Sequence, residues 1–228
     1  TLRIITLLEK RYPEFDGLNL TWESLEGIVK HNGIIVNNIP FHTKEYNKKH
    51  NLNLDKNPHL ESQVAAISDE VAYNNHDVED ALRAKLITLS SLSEIHYFKQ
   101  IINNLKLNYN NIEESRLAYQ VLRLSIAQMV NDIIKQSIKN IKNANVKFLD
   151  DIYKYKTFLI SMSKEMKENC LIIKDFLFEN VYNNNKLKEK RSNVEKITHS
   201  LFIYFLDNFD KLPIDWTNQV KHENKQKF

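Results

Sequence analysis

The apolar residues of this chain fall at three- and four-residue intervals, the spacing of helices that bury one face. Leu2, Ile5, Leu7 and Leu8 form a first stripe that ends near Tyr12-Pro13, where proline and then Asp16-Gly17 interrupt it. Thr21 is the predicted N-cap of a helix over residues 22–30, and Asn32-Gly33 supplies its stop. Residues 34–57 read as a polar loop with one short helix at 44–49, and loops of this length are often functional or mobile. Pro58 opens a central helix whose Leu60, Val64, Ile67 and Val71 share an apolar stripe. A second helix is predicted after Asp77, running to about residue 87, and another over 92–105. Residues 112–220 read as four amphipathic helices, broken near Asn143-Ala144-Asn145, Asn169, Asn183-Asn184-Asn185 and Leu212-Pro213.

Composition agrees with an all-helical reading. Three glycines and four prolines in 228 residues leave little turn chemistry for many short strands. Tyr153, Tyr155, Phe158, Phe176, Phe178, Tyr182, Phe202, Tyr204 and Phe205 are expected to pack between helices rather than to stack bases. A net charge of +3 from 32 basic and 29 acidic residues is too balanced to direct the chain to nucleic acid or a membrane. The basic run Lys186-Leu187-Lys188-Glu189-Lys190-Arg191 is expected to be a solvated helix start. The single cysteine, Cys170, excludes an intramolecular disulfide and a metal-thiolate cluster. Charges cut every apolar run well below the roughly 20 residues of a membrane span, and no leader peptide is visible, so a cytoplasmic protein is expected.

The candidate chemistry lies on the central helix. Asp69, Tyr73 and Asp77 stand four residues apart, so they share one face and climb roughly 12 Å, a span that suits a sugar and its first phosphate. Asp69 lies on the side opposite Ile67, with small Ala65 one turn below it, as expected of a helix covered from both sides. Residues 58–77 should therefore form one helix with the three polar side chains facing a cavity and with Ile67 and Val71 in the core. Taken alone, this spacing also suits a solvated polar face.

The run Ser68-Asp69-Glu70-Val71-Ala72-Tyr73-Asn74-Asn75-His76-Asp77, with its flanks over 60–84, closely resembles the last signature of the bacterial HD-domain deoxyguanosine triphosphate triphosphohydrolases. Residues 2–9 and 17–33 are similar to the same family, and Leu212-Pro213 with Trp216 resembles a short C-terminal marker. The resemblance implies an all-α, HD-domain-like bundle, incomplete here, with C-terminal helices. Residues 1–110 would be part of the catalytic domain, and 111–228 a helical region packed on it in one structural unit.

By that resemblance Asp69 is the final aspartate of an H…HD…D set for a divalent metal such as Mg or Mn, chemistry that suits carboxylate and imidazole ligands. Tyr73 would press on C2′ of a deoxyribose and exclude a ribose hydroxyl, while Asp77 would accept the 3′-OH hydrogen bond. Lys30, with His31 beside it, stands where relatives present a lysine to the triphosphate, although a cation there also suits a helix C-terminus. His76-Asp77 imitates the metal-binding dipeptide, but the alignment puts it in the sugar motif and gives His76 no metal role.

The chain departs from the family pattern as well. It holds no H…HD segment and none of the proton-transfer histidine and glutamate residues of its relatives, so no catalytic residue is assigned within it and the metal would be incompletely liganded. The reading is of the middle and C-terminal part of an enzyme that hydrolyses dGTP to deoxyguanosine and triphosphate, inactive by itself. Such a piece would act with an HD-bearing N-terminal segment, in the homo-oligomeric form the resemblance carries with it. The alternative is an inactive helical module, descended from such an enzyme, that binds a nucleotide or a partner.

Overall fold

A computed structural model describes residues 1–214, 216 and 217. Every regular element among them is helical. After a wide turn at Ile4–Leu8, the chain forms α1 (Trp22–Val29), α2 (Phe41–Lys49), α3 (Leu60–Arg83), α4 (Leu89–Leu92) and α5 (His96–Asn108). There follow α6 (Glu114–Ala144), α7 (Leu149–Lys154), α8 (Lys164–Leu177) and α9 (Asn185–Asp207). No helix among the described residues is long and apolar enough to cross a membrane. The chain divides into two compact units, Thr1–Asp175 and Phe176–Phe228.

Within the first unit, α6 packs against both α3 and α5, across the division expected near residue 110. The shared core takes Val71, Val78 and Ala81 from α3, Phe98, Ile101 and Ile102 from α5, and Val121 and Met129 from α6. Burial of each of the larger side chains among these contributes about 1.5–3 kcal/mol, which holds the 31-residue α6 in place. A smaller cluster of Leu2, Leu25, Leu52 and Leu54 fastens α1 to the loop before α3.

Several boundaries follow from local chemistry. Thr21 Oγ1 accepts the Ser24 amide and caps α1. Asn145, in the left-handed region at φ 50°, ends α6 at the predicted break. Elsewhere the structure corrects the pattern. α3 begins after His59, whose Nδ1 accepts the Ser62 amide at 3.2 Å, and it runs unbroken through Asp77 to Arg83. Asp77 has no glycine or proline nearby to stop the helix, and the buried Val78 and Ala81 carry it onward. α8 likewise passes through Asn169, since burial of Met166, Cys170 and Ile173 outweighs one poor helix former.

The apolar stripe of α3 is only partly covered. Val71 is buried, but Val64 is exposed and Ile67 is half-buried. The reason lies on the facing helix, where Val130, Ile134 and Ile138 of α6 also remain exposed along an open groove instead of closing over α3. Of the nine aromatics expected in the C-terminal core, Tyr153 alone is buried. Tyr155 and Phe158 border a cavity, and Phe202 and Tyr204 are exposed on α9.

Candidate functional site

The middle of α3 forms one wall of a cavity of about 1160 Å³. Asp69, Glu70 and Tyr73 face it from α3, and His31 and Asn32 approach from the end of α1. Gln136, Asn140 and Asn143 of α6 line a second side, and the segment around Tyr155–Ile160 a third. Lys164, Lys167 and Lys174 of α8 complete the lining. The volume is ample for a small molecule such as a nucleotide.

The irregular segment of the lining is held by buried polar side chains. Gln63, almost fully buried on α3, accepts the amides of Leu159 at 2.8 Å and Ile160 at 3.1 Å through Oε1 and donates to the Pro58 carbonyl through Nε2. From α6, Asn140 Nδ2 donates to Leu159 O and Ser161 Oγ, both at 2.9 Å. Ser137 Oγ accepts the Ser161 amide and Asp132 the Ser163 amide, at 3.1 and 2.8 Å. These bonds satisfy the backbone groups of a loop that could not otherwise be sequestered, so the cavity wall is fixed. Periodicity gave no sign of Gln63, Asn140 or Asp132, because their partners lie 19 to 97 residues away along the chain.

His31 follows the last turn of α1. Gly33, at φ 106°, lets the chain reverse with its amide donating to Lys30 O at 2.8 Å, and the turn leaves the His31 ring toward α3. His31 Nε2 stands 3.8 Å from Asp69 Oδ2, with both side chains open to the cavity. The next carboxylate, Glu70, is held by Lys174 Nζ at 2.6 Å. Tyr73, one turn beyond Asp69, is half-exposed and lines the same cavity. Asp77 is partly buried two turns along α3, beyond the cavity lining. His76 is exposed in mid-helix with Glu79 at 3.7 Å, rather than at a helix end.

Lys30 does not face the cavity. Its side chain is fully buried and ion-paired with Glu26, and its ammonium donates to the carbonyls of Asn53, Lys56 and Asn57, each at 3.1 Å. The Tyr153 ring lies 5.2 Å away. Burial pushes the Lys30 pKa down, and Glu26 opposes the shift. The ammonium therefore serves Glu26 and the loop before α3 and stands away from the cavity, which corrects the expectation that Lys30 meets a phosphate. Glu26 also lies 3.3 Å from His59 Nε2, tying α1 to the cap of α3. Gly27 permits this contact, since a Cβ there would sit 2.8 Å from the same nitrogen.

No group of three or more potential metal ligands occurs among the described residues. The donor set at the cavity fits one carboxylate ligand, Asp69, with one imidazole beside it, and not a complete coordination sphere.

Known proteins similar to this chain share one description. A phosphohydrolase-associated domain matches residues 160–227. A deoxyguanosinetriphosphate triphosphohydrolase-like protein of Bartonella henselae is 37% identical over 99% of this chain and 58% of its own length. Proteins of the same name from Rickettsia rickettsii and Rickettsia bellii are 38% and 36% identical, over 95% and 98% of the chain and 56% and 58% of their own lengths. The chain thus spans a little over half the length of the curated relatives it matches.

Proposed function

Since this chain is homologous along nearly its whole length to proteins named deoxyguanosinetriphosphate triphosphohydrolase-like, we propose that its α3 cavity grips a deoxynucleoside triphosphate for hydrolysis to deoxynucleoside and triphosphate. The observation that carries this reading is the joint placement of Asp69, Tyr73 and His31 on one nucleotide-sized cavity. Asp69 supplies one carboxylate to a divalent metal, with further ligands from an H…HD segment, and His31 sits beside it at the phosphate end. A metal held there would polarise a phosphoryl oxygen. Tyr73 lies against C2′ of the sugar, where its ring leaves no room for a ribose hydroxyl, whereas Asp77, beyond the cavity lining, makes no contact to the 3′-OH in this placement. Lys30 acts at one remove, fixing the turn that presents His31.

The test is the ratio of dGTP to GTP turnover in the chain joined to, or co-expressed with, an H…HD polypeptide. Tyr73→Ala should reduce the preference for dGTP by about tenfold or more, because one lost steric guard is worth about 1–3 kcal/mol. An unchanged ratio would remove Tyr73 from the sugar site.

A further inference from the structure

With Lys30 enclosed, the cations that face the cavity stand on α8. Lys164, Lys167 and Lys174 all line it. Offsets of three and seven residues put them along one side of the helix, spread over roughly 15 Å at 1.5 Å per residue. Their commitments differ. Lys174 is closed off by Glu70 at 2.6 Å. Lys164 has Glu168 at 3.9 Å, but both side chains are so exposed that the pair adds little. Lys167 has no acidic partner within 4 Å among the described residues.

The two carboxylates of the cavity, Asp69 and Glu70, are adjacent on α3. Glu70 is neutralised by Lys174, and Asp69 faces the His31 imidazole. The surplus positive charge therefore lies along α8, on the same cavity as Tyr73. A row of separated ammonium groups suits an extended anion better than a compact one, because each lysine is a point charge that meets a different oxygen.

We propose that Lys164 and Lys167 form a binding wall for a linear polyphosphate, and that the Lys174–Glu70 pair is a gate that adds a third cation when it opens. The proposal deepens the deoxynucleotide reading and rests on it, by assigning the phosphate chain to the start of the phosphohydrolase-associated segment rather than to Lys30. The ligand is either the tail of a nucleotide or free inorganic triphosphate.

Isothermal titration of the full chain, without metal, distinguishes these outcomes using inorganic triphosphate, inorganic phosphate, dGTP and deoxyguanosine as separate probes. The wild type should bind triphosphate and dGTP, and the Lys164→Ala/Lys167→Ala double variant should bind both about tenfold or more weakly, as expected for two lost charge-assisted contacts. Glu70→Gln, which releases Lys174, should tighten binding several-fold. A control variant, Lys188→Ala/Lys190→Ala on α9, should match the wild type. Tighter binding of dGTP than of triphosphate identifies the nucleotide tail as the ligand, and the reverse identifies free triphosphate.

Three results would overturn the proposal: unchanged affinity in the double lysine variant, equal loss in the α9 control, or phosphate binding as tightly as triphosphate. Weaker binding in Glu70→Gln would overturn the gate. Lys164 and Lys167 are exposed, so their removal leaves the fold intact. The two readings fail separately. Triphosphate binding lost with the lysines, beside no preference for dGTP over GTP in the wild type, would keep the wall and remove the deoxynucleotide reading. The opposite pattern would keep that reading and remove the wall.

Discussion

Glu26→Leu is expected to destabilise the chain by about 3–5 kcal/mol, because it leaves the Lys30 ammonium buried without its counter-charge. The three carbonyls that accept from Lys30 solvate it only in part, and none carries a formal charge. The loss should depend on pH in a defined direction. Burial already holds the folded-state pKa of Lys30 below its ordinary 10.5, and removal of Glu26 lowers it further. Between the folded and unfolded values the unfolded chain binds more protons, so stability rises with pH across that window. The gap between variant and wild type should therefore narrow as pH climbs toward 10.5. Urea titrations at pH 7 and 9.5 would show this, and a gap that is small at pH 7, or constant with pH, would refute the buried-pair assignment. A Glu26→Leu/Lys30→Met double variant should recover much of the loss, since both charges then leave together.

Asp69→Ala is expected to have the opposite profile. Its carboxylate is largely exposed, so stability should change by no more than about 0.5 kcal/mol. Deoxynucleotide turnover in the presence of an H…HD polypeptide should fall by about a thousandfold or more, the consequence of losing a ligand from a metal that polarises the reacting phosphate. His76→Ala, four residues from Tyr73's neighbour Ala72 but outside the cavity, should leave turnover near wild type. Comparable losses in the Asp69 and His76 variants would break the alignment behind the site.

The contrast between Glu26 and Asp69 shows where sequence reasoning reaches and where it stops. Local chemistry was legible: the Thr21 cap, the Asn145 stop and the helical run of α3 as far as Asp77 all follow from short-range rules. So did the four-residue spacing that brings Asp69 and Tyr73 to one cavity. Long-range polar closure was not legible. The four-residue step from Glu26 to Lys30 was visible, but nothing in it shows that the carbonyls of Asn53, Lys56 and Asn57 fold over the ammonium and remove it from the site. Gln63 gave no sign of its bonds to Leu159 and Ile160, which depend on α3 and the segment before α8 meeting in space. Nothing in the spacing of Lys164, Lys167 and Lys174 showed that they share a cavity with Asp69. Asp77 misled in the other direction: a good capping residue in sequence became one more turn of helix, because Val78 and Ala81 reach the core.

In the proposed function α3 carries one edge of a metal-dependent deoxynucleotide site. Its most direct test is anomalous diffraction from crystals of the chain joined to an H…HD polypeptide, grown with Mn²⁺ and a non-hydrolysable dGTP analogue. A manganese peak about 2.0–2.3 Å from the Asp69 carboxylate, the usual range for hard cations and oxygen, with the deoxyribose against Tyr73, is the expected result. A metal bound away from α3, or an analogue seated outside the cavity of His31, Asp69 and Tyr73, would contradict it.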